Sequence, residues 1–377
     1  MTTPPQTTKI EQIDDLDSVR GIGILMVFFF HATGYFKYDI PFLPSILKSF
    51  ITAGHSGVTL LFVLSAFLLV QSYIKSFETG TTPSWKKFYM RRALRILPMY
   101  LIVVGASALV LKDYKSSLLA LNIVWGVGGP DLYPFSPAWW AVYTEIQFYV
   151  LLPIFGYFLV HKNKKAFTAF FIVYLALYFW LFNGLNSFVS LTTFFRLTHT
   201  MLGRGFAFII GGIASWIFIF HGEAIKNYFN KNQLTKNYGG EIALTSILLL
   251  LGTLLNIADH VGYWKMETGF PLWHILEALL WTGFVLGLLF LPLKLKPLIS
   301  NVFFRQIGKI SYSIYLLHYP LLVYGHMAIQ KICNAMQLPV PSKKVLIMVI
   351  FMACAGASAL TYRFIEKPFL EKKSKFY

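Results

Sequence analysis

Arg20 and His31 bracket the stretch RGIGILMVFFFH, which has ten uncharged residues between them. Eleven steps of 100° fall within about 20° of three full turns, so both side chains leave a helix on one face, about 16 Å apart along its axis. An ionisable residue inside an apolar segment is a functional candidate by default, because burying it is costly. A neutral imidazole can serve as general base or nucleophile. The other reading is a histidine hydrogen-bonded within a helix bundle, and spacing alone leaves both open. Arg92 and Arg95, in KKFYMRRALRILP, are three apart and share a helical face. Guanidinium groups converging at one membrane face make a phosphate site, since the planar fork matches phosphate oxygens in pairs. Plain charge anchoring is the alternative, and for Lys86 and Lys87 it suffices. Glu145, in PAWWAVYTEIQFYVLLP, lies about 7–9 Å deeper than the interfacial Trp139 and Trp140. A carboxylate at depth needs a partner or a wet cavity. It could orient His31, receive a substrate hydroxyl, or make a structural hydrogen bond to another span. His55, Trp140, His199 and Arg204 stand near outer span starts and are weaker candidates for binding a substrate.

The elements that carry these residues must be membrane helices. The chain has 377 residues, of which 56% are hydrophobic and only 13% charged. Soluble domains carry roughly 25% charged residues, and the mean hydropathy here is +0.60. The expected fold is all-α and polytopic, with about ten transmembrane helices near 19–36, 56–75, 93–111, 139–160, 166–183, 203–220, 242–256, 272–291, 307–330 and 343–366. The glycine- and proline-broken segment 116–137 reads as a re-entrant or interfacial piece. Residues 1–15 read as a flexible cytoplasmic tail without a cleavable signal pattern, 16–370 as one membrane domain, and 371–377 as a basic cytoplasmic tail.

The net charge of +17 does not point to nucleic acid. With both termini cytoplasmic, more than two-thirds of the 33 Lys and Arg fall on the inner side, as the positive-inside rule requires. Cys333 and Cys354 have no disulfide or metal spacing and read as small buried hydrophobes. No metal site is expected. His318, in SYSIYLLHYP, reads as a satisfied core histidine, and Glu366 with Arg363 as a structural ion pair. GRGFAFIIGG opens a span, so its glycines serve helix packing rather than dinucleotide binding. GKISYS lacks the glycine pattern of a phosphate loop.

Together LDSVRGIGILMVFFFHA, GVTLLFVLSAFLL, FYMRRALRILPMY, WWAVYTEIQFYVLLP, IGKISYSIYLLHYPLL and YRFIEKPF, in that order, make the sequence similar to the integral-membrane acyltransferase-3 family, the OafA-like O-acyltransferases. The resemblance covers nearly the whole chain. It implies transfer of an acyl group, usually acetyl, from cytoplasmic acyl-CoA to a hydroxyl of an extracytoplasmic or lipid-linked carbohydrate. It implies that His31 is the catalytic histidine, that Arg20, Arg92 and Arg95 serve the acyl-CoA donor, and that Glu145 matches the family's glutamate. The implied location is a bacterial inner or cytoplasmic membrane. The implied partners are the lipid bilayer, acyl-CoA, a carbohydrate acceptor and separate glycan-assembly proteins. Thr59 stands where the family usually has Asp, Ala66 where it has Gly, and WWAVYTE lacks the usual Ser after Trp. The esterase-like domain fused to some relatives is expected to be missing, leaving a stand-alone membrane domain. The rival from another class is a non-catalytic carrier for a polymer or lipid-linked sugar. Such carriers often show inverted repeats and paired broken helices, and the sequence displays neither.

Overall fold

A computed structural model describes residues 6–78, 84–121, 135–160, 164–185, 188–231, 233–262, 265 and 269–373. All regular structure among them is helical. In chain order the helices are α1 (Gln6–Phe36), α2 (Ser45–Thr52), α3 (Ser56–Glu78), α4 (Trp85–Leu111), α5 (Tyr114–Ala120), α6 (Trp140–Val160), α7 (Lys164–Asn183), α8 (Leu191–Thr198) and α9 (Met201–Asn230). There follow α10 (Gly240–Val261), α11 (Trp273–Phe290), α12 (Lys296–Ile299), α13 (Val302–Lys309), α14 (Ser311–Pro320), α15 (His326–Ala335), α16 (Lys343–Thr361) and α17 (Lys367–Lys373). A 3₁₀ turn, Pro137–Trp139, leads into α6, and π-helical turns at Leu321–Gly325 and Tyr362–Glu366 join α14 to α15 and α16 to α17.

Seven helical stretches are long and apolar enough to cross a membrane, and the protein is a multi-pass membrane protein. They coincide with seven of the ten expected intervals. The other three, 139–160, 166–183 and 307–330, are also helical, the last one divided among α13, α14, the π turn and α15. Large apolar side chains such as Leu109, Ile172 and Met352 point outward. Lipid tails solvate such faces, so this exposure carries none of the cost it has in water. Most of the segment expected to be re-entrant, 122–134, lies outside the described residues.

The chain forms two compact units, one of Met1–Phe30, Ile40–Lys75 and Phe206–Ser311, the other of His31–Asp39, Ser76–Gly205 and Tyr312–Tyr377. In the first unit α10 packs against α11 and α2. Its core includes Leu60, Leu64 and Phe67 of α3, Leu251 and Leu255 of α10, and Trp273, Trp281 and Leu288 of α11. Helix α1 begins at Gln6, and acidic residues along it hold it to the α12–α13 segment. Asp14 pairs with Arg305, while Asp15 pairs with Lys296 at 2.6 Å and accepts a hydrogen bond from Ser300 at 2.6 Å. Gly308 of the GKISYS stretch has a packing role. A Cβ there would fall 1.8 Å from the Asp17 carbonyl oxygen, so only glycine lets α13 lie against α1 at this point. The GRGFAFIIGG glycines pack likewise, since a Cβ on Gly211 would fall 2.4 Å from the Val63 carbonyl oxygen.

In the second unit α4 packs against α5, α6 and α17, and α6 against α7. Both cysteines are free and buried, as expected.

Candidate active site

The second unit holds most of the candidate residues, and α14 is the helix against which His31 is seated. The sequence of α14, SYSIYLLHYP, places Tyr312, Tyr315 and His318 at intervals of three, so they run along one side of the helix. Each is anchored. Tyr312 donates to the Ile96 carbonyl of α4 at 2.9 Å. Tyr315 donates to the Ala138 carbonyl of the 3₁₀ turn. Ser313 donates to the Glu366 carboxylate and accepts from Thr361 at 2.8 Å.

Pro320 explains a further contact. A proline lacks the N–H that would satisfy the carbonyl four residues back, which is that of Leu316. The buried Trp139 indole N–H donates to this carbonyl at 3.3 Å. Trp139 thus repairs the gap that Pro320 leaves and fixes α14 against the start of α6. Trp139→Phe keeps an aromatic ring but removes the donor. An unsatisfied buried carbonyl costs about 1–3 kcal/mol, and thermal unfolding in detergent should show a loss of that order. Unchanged stability would mean that the indole N–H is not the carbonyl's partner.

His318 is fully buried, and its Nδ1 lies 2.7 Å from the Tyr315 carbonyl and 3.1 Å from that of Ile314. In this respect it is the satisfied core histidine that the sequence suggests. Its other nitrogen does more, because Nε2 is 3.2 Å from Nδ1 of His31. The two rings are tilted with centroids 5.0 Å apart, and the Tyr319 ring meets His31 edge-on at 5.7 Å. Sequence reasoning missed this partnership, since 287 residues separate the two histidines.

Arg92 and Arg95 project from the first turns of α4. The Arg92 guanidinium lies over the Tyr149 ring at 5.7 Å and the Phe88 ring at 5.9 Å. The Tyr149 hydroxyl donates to Glu145 at 2.5 Å, one turn earlier on α6. Glu145 lies within electrostatic reach of Arg92, and Glu366 within reach of Arg95. Each of the two arginines therefore feels the charge of a carboxylate. Glu366 does not pair with Arg363 as expected. It turns inward to Ser313, and Arg363 lies over the Phe364 ring at 5.6 Å.

The opposite face of α6 builds a second cluster. Trp140, Thr144 and Gln147 follow helical spacing. Trp140 meets the His199 ring edge-on at 4.4 Å and lies under the Arg204 guanidinium at 5.0 Å. Thr144 donates to the His199 carbonyl at 2.5 Å, and Gln147 accepts from the Met201 N–H at 3.0 Å. Arg204 and His199 are both buried.

Arg20 and His55 belong to the first unit. Arg20 pairs with Asp17 at 2.5 Å, one turn earlier on α1. The His55 ring meets Phe30 edge-on at 5.1 Å.

A profile described as an acyltransferase domain, that of the acyltransferase-3 family, matches residues 13–362. The chain belongs to this acyltransferase-3 family. It is 25% identical over 394 residues to SACOL0978 of Staphylococcus aureus strain COL, a provisionally named O-acetyltransferase. That alignment covers 97% of this chain and 59% of the relative. It is 25% identical over 396 residues to O-acetyltransferase OatA of Staphylococcus aureus strain NCTC 8325, covering 96% of this chain and 58% of OatA. The chain thus spans about three-fifths of the length of these curated relatives. No solved structure matches it. In this acyltransferase-3 chain the position where the family pattern usually has Asp is Thr59, and its hydroxyl donates to the fully buried Glu277 of α11 at 2.8 Å. A carboxylate therefore stands beside this position, supplied by another helix. Glu277 escaped sequence reasoning because WHILEALLW carries no spacing that ties it to α3.

Proposed function

We propose that this protein is a membrane O-acyltransferase that moves an acyl group, in the first instance acetyl, from cytoplasmic acyl-CoA to a hydroxyl of an extracytoplasmic or lipid-linked carbohydrate. Membership of the acyltransferase-3 family supports the reaction class. Relatives named O-acetyltransferase support acetyl as the group. The observation that carries the reading is His31, a half-buried imidazole near the end of a membrane helix, seated against a second, fully buried histidine. A base held in a fixed orientation is what acyl transfer to a hydroxyl requires.

In this reading Arg92 and Arg95 hold donor phosphates, and Arg20 joins them by the resemblance. His31 acts by one of two routes. As general base it takes the acceptor's proton while the oxygen attacks the thioester carbonyl. The C–S bond then breaks, and the CoA thiolate recovers the proton. As nucleophile it first accepts the acyl group itself, releasing CoA, and then passes the group to the acceptor oxygen. Glu145 anchors Tyr149 beside Arg92, and it is placed to receive or orient a polar group of the substrate. Trp140 and Arg204 are proposed for the acceptor, since an aromatic face beside a guanidinium suits a sugar carrying hydroxyl or anionic groups. His55 is carried on its sequence position alone. Ten spans with cytoplasmic termini would put the α4 arginines on the side where acyl-CoA is found.

The test uses purified protein with radiolabelled acetyl-CoA and membrane lipids from the native host. Label should appear on lipid-linked or polymeric carbohydrate in an alkali-labile ester. Uptake of carbohydrate into vesicles without any ester formed would favour the carrier instead.

A further inference from the structure

We infer that His318 is a positioning residue that fixes the tautomer of His31, so that the proton-accepting lone pair of His31 sits on Nε2. The inference rests on the proposed role of His31 as base or nucleophile and extends it to a second histidine, one that the sequence reads only as a core residue.

Donors and acceptors around the two rings set the direction of each bond. A backbone carbonyl only accepts. His318 Nδ1 faces two of them, those of Tyr315 at 2.7 Å and Ile314 at 3.1 Å, so this nitrogen carries the hydrogen. A neutral imidazole carries one N–H, so His318 Nε2 is then an acceptor. The atom facing it at 3.2 Å is His31 Nδ1. For that contact to be a hydrogen bond, Nδ1 must donate. His31 thus holds its own hydrogen on Nδ1, and its lone pair lies on Nε2, the nitrogen directed away from His318. The tautomer of one ring is set by the bond made by the other nitrogen of its neighbour. The order of the chain is carbonyl of Tyr315, His318, His31.

The scaffold behind His318 is rigid. α14 is tied to α4 through Tyr312 and to the 3₁₀ turn through Tyr315 and Trp139. The His318 ring is fully buried and bonded to its own helix, so it has one orientation to offer. Tyr319 closes on His31 edge-on. A catalytic imidazole oriented through its second nitrogen follows the logic of a triad, here with a buried histidine whose polarity is set by the backbone. His318 has no role in touching substrate. Its effect passes through His31.

Two measurements test this. The first is nitrogen NMR of the full-length protein in detergent with ¹⁵N-labelled histidine, the His31 signals being assigned by their loss in His31→Ala. Wild type should show His31 with hydrogen on Nδ1 and a bare Nε2. His318→Phe should lose that preference, and His318→Gln, whose side-chain oxygen can accept from Nδ1, should retain it. A wild-type spectrum with the hydrogen on Nε2 of His31 overturns the inference, and needs no variant to fold. The second is steady-state acetyl transfer. His318→Phe should lower kcat by about 10- to 100-fold, with KM for acetyl-CoA unchanged and partial recovery in His318→Gln. Equal losses in both variants would show a merely structural role and overturn the inference. If wild type transfers no acyl group, the proposed function falls, while the NMR result still decides the tautomer.

Discussion

Replacing His31 by alanine is expected to lower acyl transfer by about 10²- to 10⁴-fold, the span associated with loss of a positioned acid–base group. Both proposed routes pass through this imidazole, so both predict the loss. They differ in what else is seen. A general base can be replaced in part by added imidazole or by raised pH, because hydroxide can take the acceptor's proton. A nucleophile leaves an acyl-histidine that can be trapped by rapid quenching with labelled donor and no acceptor. The alanine variant keeps the phosphate-facing arginines, so its affinity for CoA should stay within a factor of two or three of wild type. It also leaves the His318 Nε2 without its donor. The desolvation cost of about 1–3 kcal/mol makes a parallel stability measurement necessary. A folded His31→Ala protein that transfers acetyl at the wild-type rate would remove His31 from the chemistry altogether.

The order of the helices and the place of His31 were legible in the sequence because both depend on local periodicity. Apolar runs of spanning length need no tertiary knowledge, and an Arg–His separation of eleven residues follows from helical geometry alone. The partner of His31 was not legible for a physical reason. SYSIYLLHYP shows a histidine whose Nδ1 can be satisfied by its own helix, and that bond is present at 2.7 Å. Nothing local tells that the other nitrogen meets a residue 287 positions away. The same holds for Glu277 and Thr59, which are 218 apart. Glu366 shows the opposite error. A nearby Arg363 suggested a local pair, yet the buried carboxylate meets the hydroxyl of Ser313, while the arginine lies over the exposed ring of Phe364. Charges close in sequence are cheap to pair in water, but inside a bundle the helix face decides which of them meet.

Removing both Arg92 and Arg95 as alanine is expected to weaken binding of CoA by about 10²- to 10⁴-fold. Each charge-assisted hydrogen bond to a phosphate contributes roughly 1.5–3 kcal/mol, and two are lost. The surroundings of these residues make the prediction sharper than a count of charges. Arg92 lies against both of the edge-packed rings of Phe88 and Tyr149, and Tyr149 is held by Glu145. The guanidinium plane is therefore fixed before any ligand arrives, which lowers the ordering cost of binding. Lysine cannot reproduce this, because a compact ammonium neither stacks nor presents a fork. Arg92→Lys should accordingly lose affinity nearly as fully as Arg92→Ala. Binding should also weaken as salt is raised, and less steeply in the double variant, because two of the charges that face the phosphates are gone. Calorimetric titration with CoA at two salt concentrations measures all of these. If the double variant binds CoA as wild type does and with the same salt dependence, the donor phosphates lie elsewhere. The two arginines would then be held in place by Glu145, Tyr149 and Glu366 for the stability of the α4–α6 contact.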